Sequence, residues 1–244
     1  MLETPKASKP TKSRIISTVL SPALGLWLRS QVEQVEDLQF KIMGGDRQIL
    51  KGHIPRVSIA ASHAIYQGLH LSNIQLEGSD IRVNLGQVIK GKPLRLLEPV
   101  PIMGQLLLQK SDLQASLESP LLSNALTEFL EVLLETNGIT KLGEDLKQRQ
   151  ISWQQIDIDA EQVTLCGTLI DSFLGTMPVV IRAGLQLVTP QKLQLHPLQI
   201  EIPPTLPLRS LDAFQVDLGP EVDIQELTLT SEQLMCRGRL SVLP

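Results

Sequence analysis

The strongest constraint on this chain is a hairpin unit that occurs twice without a gap. Glu161-Gln162-Val163 through Gly167-Thr168-Leu169 matches Glu232-Gln233-Leu234 through Gly238-Arg239-Leu240. Around each match apolar and polar residues alternate, over Ile156 to Gly167 and over Leu227 to Gly238, with the Glu-Gln pair at the turn. Side chains point to opposite faces in turn along a strand, so segments of this kind bury one face and wet the other. Two more stretches read as the same unit: Ile74 to Leu85 with Glu77 to Asp80 as a four-residue turn, and Leu106 to Leu117 with Ser111-Asp112 in the turn. A looser case is Leu185-Gln186-Leu187 turning back into Leu193-Gln194-Leu195. In the copy at Ile74 this spacing puts Ile74, Leu76, Ile81, Val83 and Leu85 on one face and Gln75, Arg82 and Asn84 on the other. The product is an antiparallel sheet that is apolar on one side. Alternation by itself suits a plain meander equally well.

Two helical segments decide against a simple sandwich. Ser21-Pro22 opens the first, because Ser accepts a hydrogen bond at the N-cap and Pro loses nothing in the first turn. Ala23, Leu24, Trp27, Leu28, Val32 and Val35 form its apolar stripe, with Arg29, Ser30, Glu33 and Glu36 opposite. Ser119-Pro120 opens the second, whose stripe is Leu122, Ala125, Leu126, Phe129, Leu130 and Leu133. Leu121, Val132 and Leu134 widen that stripe and Gly138 stops the helix. A helix apolar around so much of its girth is covered on more than one side. The expected class is therefore α+β: a long, strongly curved antiparallel sheet of repeated hairpins wrapped around one or two apolar helices. The first helix is expected to cover or enter the sheet and the second to close one end. Pro197, Pro203, Pro204, Pro207 and Pro220 are expected to break the sheet into short strands or to mark its edges. Residues 13–244 are expected to form one domain behind a flexible basic tail, residues 1–12; the charged stretch Gly138 to Gln150 is the weakest point for a division.

Charge and rings narrow the function. Net charge is -4 and aromatic residues make up 3% of the chain. Nucleic-acid binding wants a basic excess and rings on which bases stack, so that class is set aside. Cys166 and Cys236 have neither disulfide-framework nor zinc spacing and read as small buried or half-buried thiols, a single bridge between them staying open. His63 and His70 lie near Tyr66 without further ligands at metal spacing, and read as solvent-facing or edge residues. Asp157, Asp159 and Glu161 gather near one hairpin end; they suit acid–base work or calcium, but no glycine-rich calcium loop surrounds them and a solvated strand face accounts for them. The glycine-containing turns at Gly44-Gly45 and Gly86 to Lys92 lack the phosphate-loop offsets, and no Gly-x-Ser-x-Gly elbow is present. No enzyme, cofactor or metal is expected.

The apolar content points to a different kind of site. Val88-Ile89, Leu96-Leu97, Pro99-Val100-Pro101-Ile102-Met103 and Leu106-Leu107-Leu108 come close together, so some of these residues must face outward or line a cavity. Long apolar grooves with a few polar groups at the mouth suit lipids. At the N-terminus Lys6, Lys9, Lys12 and Arg14 precede the apolar run Ile15 to Leu28. Ser17, Thr18, Ser21, Pro22 and Gly25 interrupt that run and no small-residue cleavage site follows, so it reads as part of the mature fold. It is too short and polar to span a bilayer, which takes ~20 apolar residues. Lys12, Arg14, Ile15 and Ile16 are candidates for resting on an anionic membrane surface, against the plainer reading of a soluble, disordered tail.

Three stretches carry a family resemblance: Ser21 through Val32, Gly44 through Gly52 (GGDRQILKG), and Gly68 through Leu76 (GLHLSNIQL). Together they resemble the LmeA-like phospholipid-binding family, long catalogued as a domain of unknown function and common in cyanobacteria and actinobacteria. The likeness is to a cyanobacterial-type member and runs from about Ser13 to the C-terminus. The resemblance implies a fold similar to tubular lipid-binding domains, where a curved sheet wraps a long helix around an apolar channel, and it implies phospholipid binding. Exported members carry a signal peptide that is not found here, and the family offers no catalytic residues to carry over. The tie of actinobacterial members to envelope glycolipid assembly is not carried over either. The expected function is non-enzymatic binding or transfer of phospholipid or another lipid at a membrane surface. The expected channel residues are Leu24, Trp27, Leu28, Ile74, Leu76, Ile81, Val83, Leu106, Leu108, Leu126, Phe129 and Leu130. They would serve equally as core. A cytoplasmic or membrane-peripheral location is expected, with export left open. The rivals are an assembly module that binds a protein partner by a sheet edge, and an enzyme using the acids at Asp157 to Glu161.

Overall fold

The computed structural model describes residues 25–26, 28–30, 32–139, 150–160, 162–171 and 175–244. In chain order the elements are β1 (Gln34–Met43), α1 (Asp46–Leu50), β2 (His53–Tyr66), β3 (Leu69–Arg82), α2 (Leu85–Val88), β4 (Val100–Gln109), α3 (Lys110–Ser116), α4 (Pro120–Thr136), β5 (Gln150–Ile158), β6 (Val163–Asp171), β7 (Gly175–Thr189), β8 (Lys192–Ile202), β9 (Leu206–Leu211), β10 (Phe214–Asp217), β11 (Val222–Leu229) and β12 (Gln233–Val242). The fold is α+β, with antiparallel strands in two open six-stranded sheets. Sheet 1 runs β1-β2-β3-β4-β12-β11; sheet 2 runs β10-β8-β7-β6-β5, with β9 also on β8.

The gapless repeat is a real structural unit. β5–β6 and β11–β12 are both hairpins, closed at Ile158–Val163 and at Leu229–Leu234. Each carries a bulge in its first strand, between Trp153 and Gln155 and between Ile224 and Glu226. Glycine stands at the corresponding place of each second strand. A Cβ on Gly167 would lie 2.8 Å from Trp153 Cε3 and 2.9 Å from Ser152 O. One on Gly238 would press on Asp223 O and lie 2.9 Å from Ile224 Cα. The bulge brings the neighbouring backbone so close that only glycine fits. The two copies nevertheless enter different sheets: β5–β6 ends sheet 2, whereas β11–β12 returns to pair with β4 and completes sheet 1. The looser repeat is also a hairpin, pairing Leu185 with Leu195 and Leu187 with Leu193.

The other two hairpins expected from the sequence do not form. β3 runs straight through Glu77 to Asp80, and its hairpin partner is β2, joined by Gln67-Gly68. Those two residues have φ of 50° and 77°, the paired left-handed turn that suits strand twist. Leu76 and Ile81 still come to share a face, because Asp80 (φ 55°) resets the alternation between them while the register with β2 does not slip. Lys110 to Ser116 is helix α3 rather than a turn and a returning strand. Asp112 sits in its first helical turn and accepts hydrogen bonds from Gln109 N (3.3 Å) and the Ser72 hydroxyl. Of the late prolines, Pro203 and Pro204 fall between β8 and β9, but Pro197 lies inside β8, in a bulge where His196 and Pro197 together stand opposite Gly184.

Helix α3 joins the sheets. Ser116 Oγ accepts from His70 N of β3 at 2.8 Å. On its other side Gln114 behaves like a strand edge: Nε2 donates to Gln154 O at 2.8 Å and Oε1 accepts from Ile156 N at 3.0 Å, which covers the outer edge of β5. A second junction is Ile224 N donating to Pro190 O at 2.7 Å.

Helix α4 forms where the sequence places it. Ser119 Oγ accepts from Leu121 N and Leu122 N, and Gly138 (φ 72°) follows its end. It does not close one end of a sheet. Leu130, Leu133 and Leu134 are fully buried in one cluster with Ile151, Leu165, Leu169, Met177, Val179, Ile181, Leu198, Ile200 and Ile202 of sheet 2. Trp153 Nε1 donates to Thr127 Oγ1 at 3.1 Å, so the one polar atom of that ring is satisfied within the core. Of the first helix, residues 25–26 and 28–30 are helical; Ser21-Pro22 and the tail, residues 1–12, lie outside the described residues.

Candidate apolar binding cavity

Four stretches of chain meet at one end of sheet 1. α1 lies against β2 and α2. Gly52 O accepts from Val83 N at 2.8 Å, and Val83 bridges to Leu96. The loop from α2 to β4 is pinned by Asn84, a buried polar residue that sequence reading had placed on the wet face. Its Nδ2 donates to Pro93 O at 2.9 Å and to Gln87 Oε1 at 3.4 Å, and its Oδ1 accepts from Arg95 N at 2.8 Å. Burial is tolerated because the amide uses both donors and an acceptor.

The pinned loop supplies Leu94 and Leu96 to a cluster whose buried members are Ile49, Ile54, Val57, Ile81, Val83, Leu85 and Val100. The cluster does not close completely. A cavity of about 250 Å³ remains, lined by Leu28, Ile54, Val57, Ile59, Leu76, Gly78, Ile81, Val83, Leu94, Arg95, Leu96, Val100, Ile102 and Val242. Arg95 is its one charged residue, and it is exposed. Walls like these offer water few hydrogen-bond partners, whereas an alkyl chain gains ~25 cal/mol for each Å² it buries. The volume falls just below the ~300–1,000 Å³ of sites that enclose a whole drug-sized molecule, so it suits a segment of chain.

The expected channel residues divide three ways. Leu28, Leu76, Ile81 and Val83 line the cavity. Ile74, Leu106 and Leu108 stand farther along sheet 1 at the alternate positions set by Leu76 and Ile102: Ile74 faces Leu106, Leu106 faces Cys236 and Leu108 faces Leu234, all half-buried. Leu126, Phe129 and Leu130 belong to the core of sheet 2, where the Phe129 ring meets Phe214 edge-on at 5.6 Å. Leu24 and Trp27, and the membrane-surface candidates Lys12, Arg14, Ile15 and Ile16, lie outside the described residues. The apolar run after Val88 splits: Leu96, Val100 and Ile102 turn inward, whereas Ile89 (59% exposed) and Leu97 (58%) face solvent. Sequence reading missed Ile54, Val57, Ile59, Leu94, Val242 and Arg95. The alternation Val57-Ser58-Ile59 was the available signal for two of them; Ile54 is out of phase with it.

The acids and thiols have local roles. Asp157 Oδ1 lies 2.5 Å from Lys110 Nζ. That hydrogen bond holds the Asp157 carboxyl below its ordinary range and lifts the Lys110 ammonium above its own. Asp159 Oδ1 accepts from Gln162 N at 2.8 Å and shapes the hairpin loop; Glu161 lies outside the described residues. His63 Nδ1 is 3.0 Å from Glu36 Oε2, and His53 Nε2 is 2.5 Å from Asp80 Oδ1. Among the described residues no group of three or more His, Cys, Asp or Glu is placed to hold a metal ion. Cys166 and Cys236 are free and half-buried, and burial pushes the Cys236 thiol up. No helix among the described residues is long and apolar enough to cross a membrane, which leaves crossing by strands untouched.

An open antiparallel α+β fold with an almost wholly aliphatic cavity under one sheet defines the class. Within it, the chain belongs to the LmeA-like phospholipid-binding family, whose model matches residues 11–239. Comparison with curated proteins gives no significant match, and comparison with solved structures gives none.

Proposed function

We propose that this protein binds a phospholipid without chemical turnover and carries or presents it at a membrane surface, with part of an acyl chain in the cavity of sheet 1. The carrying observation is the aliphatic wall running from Leu28 through Ile81, Val83 and Leu96 to Ile102, with a single exposed cation at Arg95. Family membership agrees with the ligand class. Ile74, Leu106 and Leu108 continue the apolar positions beyond the cavity and extend the path for a longer chain. The acids that an enzyme would use are engaged elsewhere, Asp157 with Lys110 and Asp159 within its own turn.

The test is native mass spectrometry of the purified protein, then solvent extraction and lipid analysis. A stoichiometric phospholipid is expected. It is lost from Val83→Asp, and also from Ile102→Trp, which fills the cavity without adding charge, while Val132→Lys on the exposed side of α4 keeps it. A folded native protein that carries no lipid and takes none from vesicles refutes the reading. A second reading, strand addition to a protein partner, has one observation behind it: among the described residues β1 pairs with β2 alone and ends sheet 1. A lipid-free protein that is retained by a partner through β1, and released by a proline in that strand, would select it.

A further inference from the structure

The end of sheet 1 that holds the cavity also carries an unusual surface. Residues 46–52 and 80–98 contain six basic side chains, Arg47, Lys51, Arg82, Lys90, Lys92 and Arg95, against three acidic ones, Asp46, Asp80 and Glu98, in a chain that is acidic as a whole. All six cations are exposed and none makes an ion pair among the described residues. Asp80, by contrast, is engaged by His53.

Large apolar side chains stand among those cations. Leu50 (55% exposed), Ile89 and Leu97 all face solvent. The backbone ties them to one place: Leu97 N donates to Arg82 O at 2.9 Å, Asn84 N donates to Arg95 O, and Val83 N donates to Gly52 O beside Lys51. Gly91 (φ 80°) turns the chain between Lys90 and Lys92, so both lysines sit at the tip of the loop that Asn84 pins. Arg95 belongs both to this surface and to the cavity wall.

We infer that this end of sheet 1, formed by α1 and the loop from α2 to β4, docks on an anionic phospholipid bilayer, with Leu50, Ile89 and Leu97 entering the interface and Arg47, Lys51, Arg82, Lys90, Lys92 and Arg95 meeting the headgroups. Interspersed aliphatic and basic side chains are what interfacial binding uses, and the unpaired positive charge selects a negative surface. Docked this way, the protein sets the wall containing Leu94, Leu96 and Arg95 next to the lipid that is to enter. The inference rests on the lipid-binding reading but separates from it in experiment, because docking and cargo are read out independently.

The experiment is flotation of the full chain with phosphatidylcholine vesicles and with vesicles that also contain phosphatidylglycerol, alongside extraction of co-purified lipid from the same preparations. The native chain is expected to float only with the anionic vesicles, and less as salt is raised. Lys90→Glu/Lys92→Glu is expected to weaken that binding by about tenfold or more, and Ile89→Ser/Leu97→Ser by a similar factor, with cargo lipid unchanged in both. Arg237→Glu/Arg239→Glu on β12 serves as the charge-matched control and floats as the native chain does. Equal flotation of the two loop variants and the native chain overturns the inference. So does loss of flotation in Lys12→Glu/Arg14→Glu alone, which would put the contact in the N-terminal tail. So does equal loss in the β12 control, which would reduce the effect to net charge. Cargo lost from Val83→Asp while flotation persists bears on the cavity and leaves the docking surface standing.

Discussion

Replacing Asn84 with alanine removes a buried side chain that makes three hydrogen bonds at the cavity's loop. The structure sets the size of the effect. Three hydrogen bonds go: to Pro93 O (2.9 Å), from Arg95 N (2.8 Å) and to Gln87 Oε1 (3.4 Å). The last is long and its partner is exposed, so water replaces it at little cost. The other two leave a backbone carbonyl and a backbone N–H without their partner. Each such loss costs ~1–3 kcal/mol when the group stays buried; Pro93 and Arg95 are exposed residues, which puts both losses at the low end. The sum is about 2 kcal/mol, a sizeable share of the ~5–15 kcal/mol that holds a typical domain folded. Equilibrium urea unfolding should show a lower midpoint by about 1 M with an unchanged slope. Hydrogen exchange should speed up at the Arg95 amide, and co-purified lipid should fall because Leu94 and Leu96 lose their fixed position. Asn84→Asp keeps the acceptor for Arg95 N but sets a buried carboxylate oxygen against Pro93 O and Gln87 Oε1, so it should be no more stable than the alanine variant. An alanine variant with native midpoint and native protection at Arg95 would refute the reasoning.

The remaining expectations concern the repeat, the ion pair and the thiol. Gly238→Ala should destabilise by ~1–3 kcal/mol, because backbone of the bulged strand would have to move; Gly104→Ala meets only the tip of Leu76 and should change thermal unfolding little. The Asp157 carboxyl, titrated by carbon NMR, should lie below its ordinary value in the native protein and rise towards it in Lys110→Met. Since its folded value is depressed, the pair's contribution is complete above the unfolded carboxyl's pKa and is lost as pH falls through the lower folded one; at the alkaline end it is lost as pH rises through the raised value of Lys110. Alkylation of Cys236 by iodoacetamide near pH 8 should be slower in the folded protein than in urea, since burial raises that thiol; equal rates would contradict its placement.

Much of the local structure was legible because its causes are local. The hairpins at Ile156 to Gly167 and Leu227 to Gly238 follow from alternation plus polar turn residues, and α4 follows from Ser119-Pro120, an apolar stripe and Gly138. The two failed hairpins had the same local appearance. Glu77 to Asp80 stays in the strand because β2 pairs along this stretch of β3 and on to Arg82, with β4 pairing to Glu77 and Gly78 on the other side, and Asp80 takes a left-handed conformation that a sequence pattern does not announce. Ser111-Asp112 becomes helix because Ser72 and Gln109, distant or preceding in the chain, supply partners to Asp112. The candidate cavity was half visible. Leu28, Leu76, Ile81 and Val83 carried the right pattern, but the same pattern at Leu126, Phe129 and Leu130 led into a filled core.

The sequence by itself therefore determined an antiparallel α+β protein with an aliphatic interior and a duplicated hairpin, because periodicity, capping and composition act over a few residues. Only the tertiary structure decided which sheet each copy of the hairpin joins, that α4 fills sheet 2, and that sheet 1 keeps space beside Val83 and Leu96. Those outcomes depend on contacts between residues far apart in the chain, such as β4 with β12, Gln114 with the edge of β5, and Val83 with Leu96. Alternation fixes the face a side chain takes; long-range pairing fixes what that face meets.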